Sequence, residues 1–419
     1  MSYSVIPHDG TDSSFQWIDG VSSTETKPVF TPLAIQTITS IDALAALAPE
    51  WRTLDATLSP RVPFTSPDWL LLWWKHFRRD RILCRDTLSA YAVRDGDGTL
   101  VAVVPTMISS RPSIGPLRTR ELQFLGADSN VTELRGIICR PDDLGQVTAA
   151  LGAYFAARER DWDWIQWRGL RATDAPSDWH DHIPGFVTTG TVPNYYLALP
   201  DGWDAFKAGL PRNIKESLRK CYNSLQRDGH AFTFDAVADP DAIPAALDRF
   251  FALHAQRSDL AGSVPHPNAF AHPTAQAFVR DYAATAATTG AVRVFELRIG
   301  GDVVATRVAF LLGREMYLYF SGYDLAWKKY SVMTTLLAEA LKWGIANGFT
   351  IANLSIGTDV SKTRWRPEVV HYVEGFMVGR SLRSAMAFKL TNDLRRAVRG
   401  SISQASTEET QPEAAPANR

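Results

Sequence analysis

Residues Tyr323–Arg366 read YDLAWKKYSVMTTLLAEALKWGIANGFTIANLSIGTDVSKTRWR, and they decide the fold. Val332, Leu336, Leu337, Ala340 and Leu341 recur at 3.6-residue spacing behind Ser331, a good N-cap, and Asn347-Gly348 is a stop signal. A short apolar strand follows and leads into Gly357, Lys362, Arg364 and Trp365. The stretch therefore predicts a loop, a helix and a strand, behind two earlier strands. A helix that begins after Lys328 and Lys329 offers free backbone N–H groups and a partial positive charge beside two ammonium groups. That combination suits a phosphorylated ligand. The plain alternative is a crossover helix preceded by two solvated lysines.

Outward from this stretch the chain repeats a plan. Val292 to Arg298, the turn Ile299-Gly300-Gly301-Asp302, and Val303 to Leu312 predict a hairpin. Leu88 to Arg94, Asp95-Gly96-Asp97-Gly98 and Leu100 to Ser109 predict another, with Val101-Ala102 matching Val304-Ala305. A long helix follows each, over Leu144–Arg160 and Ser331–Asn347, and then a short strand ending in Gly169 or Gly357. Glu121–Leu125, Leu134–Cys139 and Trp162–Trp167 are further expected strands. Ahead of the first hairpin, Ile41, Leu44, Leu47, Trp51, Leu54 and Leu58 have one helix's spacing, and Ser66-Pro67-Asp68 starts a second. The expectation is two tandem α/β units of one type. Their boundary is set near Gly185–Pro193, giving a tail at 1–33, units at 34–192 and 193–380, a basic amphipathic helix at 381–400 and a tail at 401–419.

Composition limits the classes. The 419 residues are 45% hydrophobic and 21% charged, an ordinary globular balance, and the net charge of −1 gives no global field for nucleic acid. Cys84, Cys139 and Cys221 stand far apart with no CxxC pair, which fits a reducing cytoplasm and argues against zinc. His180 and His182 lack a carboxylate or cysteine at ligand spacing and read as a loop, so no metal is expected. No Gly-x-Ser-x-Gly, Walker or dinucleotide-binding glycine pattern occurs, which moves hydrolases, kinases and dehydrogenases out of the front rank. Without a signal sequence or a run of roughly 18 apolar residues, the expected location is cytoplasmic, at most peripheral at the inner membrane face.

The element order, with Tyr323-Asp324, Tyr330-Ser331, Gly357, Lys362 and Arg364-Trp365, resembles the GNAT-fold acyltransferases of the cellulose-biosynthesis CelD-like group, relatives of the Fem-type peptidoglycan aminoacyl transferases. The resemblance covers roughly 200–372 and extends faintly over the first half. It implies an α/β (α+β) fold of two tandem GNAT-like domains, each a mixed, mainly antiparallel sheet flanked by helices. It also implies that the loop before the long helix, here Lys328, Lys329, Tyr330, Ser331, Val332 and Met333, holds the diphosphate of acyl-CoA as cosubstrate. Two departures stand out. Val332-Met333 replace the family's Pro-Gly, which removes a glycine that eases backbone approach to phosphate, and Ser361 replaces a tyrosine before Lys362.

Acyl transfer to an amine needs a deprotonated nucleophile, a polarised donor carbonyl and an acid for the thiolate. His254, in a segment similar to the family's Leu-His-x-x-Arg signature, is the candidate base. A helical histidine is more often structural. Arg257 shares its face. Tyr323, Tyr330 and Tyr319 are candidate donors to the leaving sulfur, Tyr319 the weakest because it alternates on an ordinary strand. Asp324 is a candidate to orient the amine. Arg212 and Arg219 form, with Lys215, a basic stripe that either grips an anion or is a solvated face. Lys362 and Arg364 follow a strand end and suit a carboxylate or phosphate, while Trp365 packs.

The leading expectation is an N-acyltransferase that moves an acyl group from acyl-CoA to an amine, an amino sugar or polysaccharide precursor or a long-chain sphingoid base. Its partners are small molecules, not nucleic acid. The rivals are a Fem-type enzyme using aminoacyl-tRNA and a non-catalytic accessory protein of exopolysaccharide synthesis. In 379–400, Met386, Leu390, Leu394 and Val398 recur among Arg380, Arg383, Lys389, Arg395, Arg396 and Arg399. Either this helix touches an anionic membrane through 380–399 or it docks on its own domain.

Overall fold

The computed structural model describes residues 33–128, 131–171, 183, 185–258 and 267–393. In the first half β1 (Ala34–Ile38) leads to helices α1 (Ile41–Ala46), α2 (Ala48–Asp55) and α3 (Pro67–Phe77). Then come strands β2 (Asp80–Arg81), β3 (Cys84–Leu88), β4 (Ala90–Arg94), β5 (Leu100–Val104), β6 (Thr106–Arg111), β7 (Thr119–Phe124) and β8 (Ile138–Cys139). Helix α4 (Leu144–Ala156) crosses to β9 (Trp164–Arg171).

The second half begins with β10 (Val187–Ala198), α5 (Trp203–Gly209), α6 (Arg212–Arg227), β11 (Phe232–Val237), α7 (Ile243–Ser258) and α8 (Pro273–Thr288). The strands β12 (Val292–Ile299), β13 (Asp302–Leu312) and β14 (Glu315–Tyr323) follow. Helix α9 (Val332–Ala346), β15 (Ile351–Ile356), α10 (Val360–Thr363) and β16 (Glu368–Val378) come next. The last described helix, α11, spans 382–393.

Each half contains one parallel strand pair wrapped around one long helix: β7 with β9 across α4, and β14 with β15 across α9. All the other pairings are antiparallel. The expected mixed, mainly antiparallel α/β architecture in two units is present, and the two glycine turns behave as read: Gly300 and Gly301 have φ of 62° and 94°, which closes β12 onto β13.

The halves are joined more intimately than the sequence suggests. The expected junction at 192/193 falls inside β10, which pairs with β16 from Val187↔Phe376 to Tyr196↔Glu368, and β16 pairs in turn with β9. One twelve-stranded sheet thus runs in the order β11-β12-β13-β14-β15-β10-β16-β9-β7-β6-β3-β2. The helices interleave as well. Trp69 on α3 is fully buried and meets Phe278 and Tyr282 on α8 edge-on at ring separations of 4.8 and 4.6 Å, while Lys75 and His76 pair with Asp281. Edge-to-face contacts of this kind add about 0.5–1.5 kcal/mol each beyond their buried area.

Local chemistry explains the shifted boundaries. The single helix expected over Ile41–Leu58 is two, because Pro49 in the first turn of α2 has no N–H to donate backwards. The two long strands of the first hairpin break at Ser89 and Pro105, where the chain passes from a small sheet (β1-β4-β5-β8) into the large one. There the Thr106 hydroxyl donates to Ser89 O. The long helix ends at Ala156 rather than Arg160, and of the strand expected over Leu134–Cys139 only Ile138–Cys139 forms. His180 and His182, the polar tails and the part of the terminal helix beyond 393 lie outside the described residues.

Candidate functional site

The parallel pairing of β14 with β15 stops at Tyr317↔Asn353, although β14 continues to Tyr323 and β15 to Ile356. The strands part there, and two cavities open along the gap. One, of about 600 Å³, is walled by both halves, with Glu133, Arg135 and Arg168 from the first and His254, Arg257 and Arg307 from the second. The other, of about 360 Å³, lies over the start of α9 and is lined by Lys328, Ser331, Val332, Met333, Thr334 and Arg364, among others. Arg257, Arg307, Leu354, Ser361 and Lys362 belong to both walls, so the two spaces meet.

Helix α7 reaches the gap because Gly322 has no side chain: a Cβ there would stand 2.4 Å from the His254 backbone nitrogen. This approach sets His254 Nδ1 3.0 Å from Ser321 O. A carbonyl only accepts, so Nδ1 carries a proton, and Nε2 is the nitrogen left to accept one when the ring is neutral. Phe270 and Phe320 flank the imidazole edge-on. One turn on, Arg257 Nη1 donates to Ser321 Oγ (3.1 Å), and Arg307 Nη2 lies 3.4 Å from the same oxygen. Burial lowers both guanidinium values, that of Arg307 to about 10, and the Arg307 Nε has no hydrogen-bond partner.

Across the gap Glu133 accepts from the Tyr317 hydroxyl and from Ser355 Oγ, the latter at 2.8 Å. Burial raises its carboxyl above the usual range, against the pull of Lys362. Ser355 adopts φ 71°, a left-handed conformation that costs a non-glycine residue roughly 1 kcal/mol, and the Asn353 side chain holds its backbone N–H at 2.8 Å. Lys362 is placed by α10, whose cap Asp359 accepts from the Ser361 N–H, and its Nζ donates to Ile356 O. Burial pushes the Lys362 ammonium down to about 8, with Arg307 and Arg257 adding to the effect and Glu133 and Asp359 opposing it.

At the start of α9, Ser331 is left-handed (φ 54°, ψ 42°) and its side chain makes no cap hydrogen bond, so the helix end is not closed by its own N-cap. Thr334 Oγ1 receives Arg364 Nη2 at 2.7 Å.

Of the residues singled out from the sequence, His254, Arg257, Tyr319 and Lys362 line the larger cavity, the Tyr319 hydroxyl donating to Val131 O. Tyr323, Lys328, Ser331, Val332, Met333 and Arg364 line the smaller one, with Arg257 and Lys362 again. Five are not part of either wall. Asp324 caps the short turn Leu325–Tyr330 by accepting from Ala326 N at 3.0 Å. Tyr330 is buried, its hydroxyl 3.0 Å from both Asp228 Oδ2 and His230 Nε2, and Lys329 lies over its ring at 4.6 Å. Arg212 is exposed and paired with Glu216, and Arg219 faces outward on α6, whose apolar face packs inward instead. Glu133, Arg135, Arg168, Arg307 and Ser355 were not singled out. Only Arg307 carries a local signal, as a charge inside the apolar run Val303–Leu312.

Residues 212–363 match the family described as Acetyltransferase (GNAT) domain. The second half therefore has a GNAT-like fold. The FemX crystal structure has the same fold, with a TM-score of 0.56 at 10% identity over 84% of this chain and 100% of FemX. Two further solved structures are similar to a lesser degree. The C-terminal domain of a putative lysylphosphatidylglycerol synthetase from Agrobacterium fabrum has a TM-score of 0.46 at 12% identity over 84% and 96% of the two chains. A tandem GNAT protein from the clavulanic acid biosynthesis pathway has 0.42 at 12% identity over 84% and 99%. No curated protein sequence matches. The first half repeats the parallel pair and crossover helix of the GNAT domain, so the chain is two GNAT-like units in tandem. Among the described residues no group of three or more His, Cys, Asp or Glu is arranged to hold a metal ion.

Proposed function

We propose that the protein is an N-acyltransferase that takes its acyl group from acyl-CoA and delivers it to an amine whose remainder carries an acid group. The observation that carries this reading is the shared wall: a thioester in the smaller cavity and an amine in the larger one would meet at Arg257, Arg307, Leu354, Ser361 and Lys362. Lys328, Arg364 and the N–H groups of Val332 and Met333 would hold the donor's diphosphate. In the larger cavity four arginines and Lys362 outnumber Glu133, Asp359 and Glu374, which supports a carboxylate or phosphate on the acceptor over an uncharged sphingoid tail.

In this reading His254 Nε2 takes the proton from the attacking amine. The C–N bond forms, the C–S bond breaks, and Lys362, with its value near 8, returns a proton to the departing thiolate. Arg257 and Arg307, already desolvated, would steady the acceptor's acid group. Measuring thiol release from short and long acyl-CoAs with amino acids, amino-sugar phosphates and neutral amines tests it. Release that requires an anionic amine supports the reading. Transfer from aminoacyl-tRNA and none from any acyl-CoA would replace it by the Fem-type alternative.

A further inference from the structure

Among the described residues ten large apolar side chains stand exposed, and seven of them gather at one rim of the twelve-stranded sheet. Register places them there. The start of β3, the end of β6 and the start of β7 adjoin through Arg85↔Ser110 and Arg111↔Thr119. The start of β9 and the end of β16 join the same rim through Glu121↔Trp164 and Val378↔Trp164. Ile82 and Leu83 sit on the β2–β3 turn, and Ile114 and Leu117 on the β6–β7 loop. The two loops are tied by Ser113, whose N–H and Oγ both lie 2.9 Å from Ile82 O.

Helix α11 leaves this rim at the end of β16. It docks by one face: Phe388 packs on Phe376 and Trp164, Ser384 lies over Asp163, and Arg383 reaches Asp163 Oδ1 at 2.9 Å and the carbonyl of Arg118 in the β6–β7 loop. Leu382, Met386 and Leu390, four residues apart, form a stripe on the opposite face. All seven side chains are between 63% and 80% exposed.

The charges around them are mainly basic. Arg81 and Arg118 are exposed beside the loop tips and Lys389 on α11, while Arg383 is paired with the buried Asp163. Asp80 is shared between Arg78 and Arg85, Glu159 is paired with Arg380, and Asp393 is the exposed acid of the helix. The chain as a whole is at −1, so this surplus is local. Aliphatic side chains on projecting tips and one helix stripe, edged with cations, complement an anionic lipid surface, where acyl chains take the aliphatic groups and phosphates the cations. Among the described residues no helix is long and apolar enough to cross a membrane, so the contact is interfacial. We propose that this rim docks the protein onto an anionic bilayer through the tips of the β2–β3 and β6–β7 loops and the outer stripe of α11.

The test is sedimentation of the full-length protein with phosphatidylcholine vesicles, with and without phosphatidylglycerol. Binding is expected only with the anionic lipid and should fade with salt. Leu382→Ser/Met386→Ser/Leu390→Ser and Ile114→Ser/Leu117→Ser should each weaken it at least about tenfold. Arg81→Ala and Arg118→Ala should cost about fivefold apiece. These side chains are exposed and outside both cavities, so melting temperature and transfer to a soluble acceptor should stay unchanged. Failure of the intact chain to bind at low salt, or equal binding by both apolar variants, overturns the proposal. So does concentration-dependent self-association that the same substitutions abolish without any vesicle binding, which would assign the rim to a second copy of the chain.

Discussion

Lys362→Met should make the protein more stable and less active, and the gain should vanish at high pH. The ammonium has an ordinary value of 10.5 and is held at about 8 in the fold, chiefly by burial. A tenfold change in a protonation constant is about 1.4 kcal/mol, so keeping Lys362 charged in the fold costs roughly 3 kcal/mol. Below pH 8 both the folded and unfolded chains carry the proton and the full cost is present. Between 8 and 10.5 the folded chain gives the proton up first and the cost fades, and above 10.5 it is gone. Methionine keeps the stem and drops the charge, losing only the hydrogen bond to Ile356 O, worth about 1 kcal/mol. The net expectation is about 2 kcal/mol of added stability at pH 7, turning to a deficit of up to about 1 kcal/mol above pH 10.5, where only the lost hydrogen bond remains. Thermal unfolding of both proteins across that range measures it. A variant that melts lower at pH 7, or a difference independent of pH, would refute the claim that the ammonium is desolvated and strained.

His254→Asn should keep donor binding and lower the transfer rate about 10²–10⁴-fold, read from thiol release under saturating substrates. Arg307→Met should raise the KM for an anionic amine about tenfold or more with a smaller change for a neutral one, since hydrogen bonds to charged groups are worth about 1.5–3 kcal/mol. Gly322→Val should destabilise the fold by several kcal/mol and abolish activity, because a Cβ there meets the α7 backbone at His254 and Leu253. Ser331→Gly should stabilise by about 1 kcal/mol, checked by melting, because it relieves a left-handed non-glycine residue.

What the sequence made legible was local. Helix α9 could be read from Val332 to its Asn347-Gly348 stop because its period and terminator lie within one window, although Ser331 does not cap it with its side chain, and Gly300-Gly301 announced its hairpin by the backbone it needs. The strand, long helix and second strand of each half were legible in that order, while the parallel pairing of the two strands appears only in the fold. The pairing of β10 with β16 was hidden, because those partners are about 180 residues apart and neither strand carries a mark of the other. That long-range pairing is also why no linker exists at Pro193.

The site divides in the same way. His254, Arg257 and Lys362 were found because each stands in a short pattern. Glu133 lies in a segment of the first half with no regular structure, and only its burial against Tyr317 and Ser355 marks it. The basic stripe of α6 shows the opposite error: Arg212 and Arg219 share a helix face, yet the apolar residues Ile214, Leu218 and Leu225 turn that helix so the stripe points to solvent.

Acetyl-CoA binding by the full chain and by Met333→Asp tests the central claim most directly. An aspartate in the first turn of α9 favours the helix dipole, which partly offsets the packing that half-buried Met333 loses, so the variant should still fold with a modestly lower melting temperature, while a carboxylate in the smaller cavity repels a diphosphate. Calorimetry should show binding by the intact protein and a loss of at least about tenfold in the variant. Equal affinity in both, or none in a folded wild-type chain, would contradict the account.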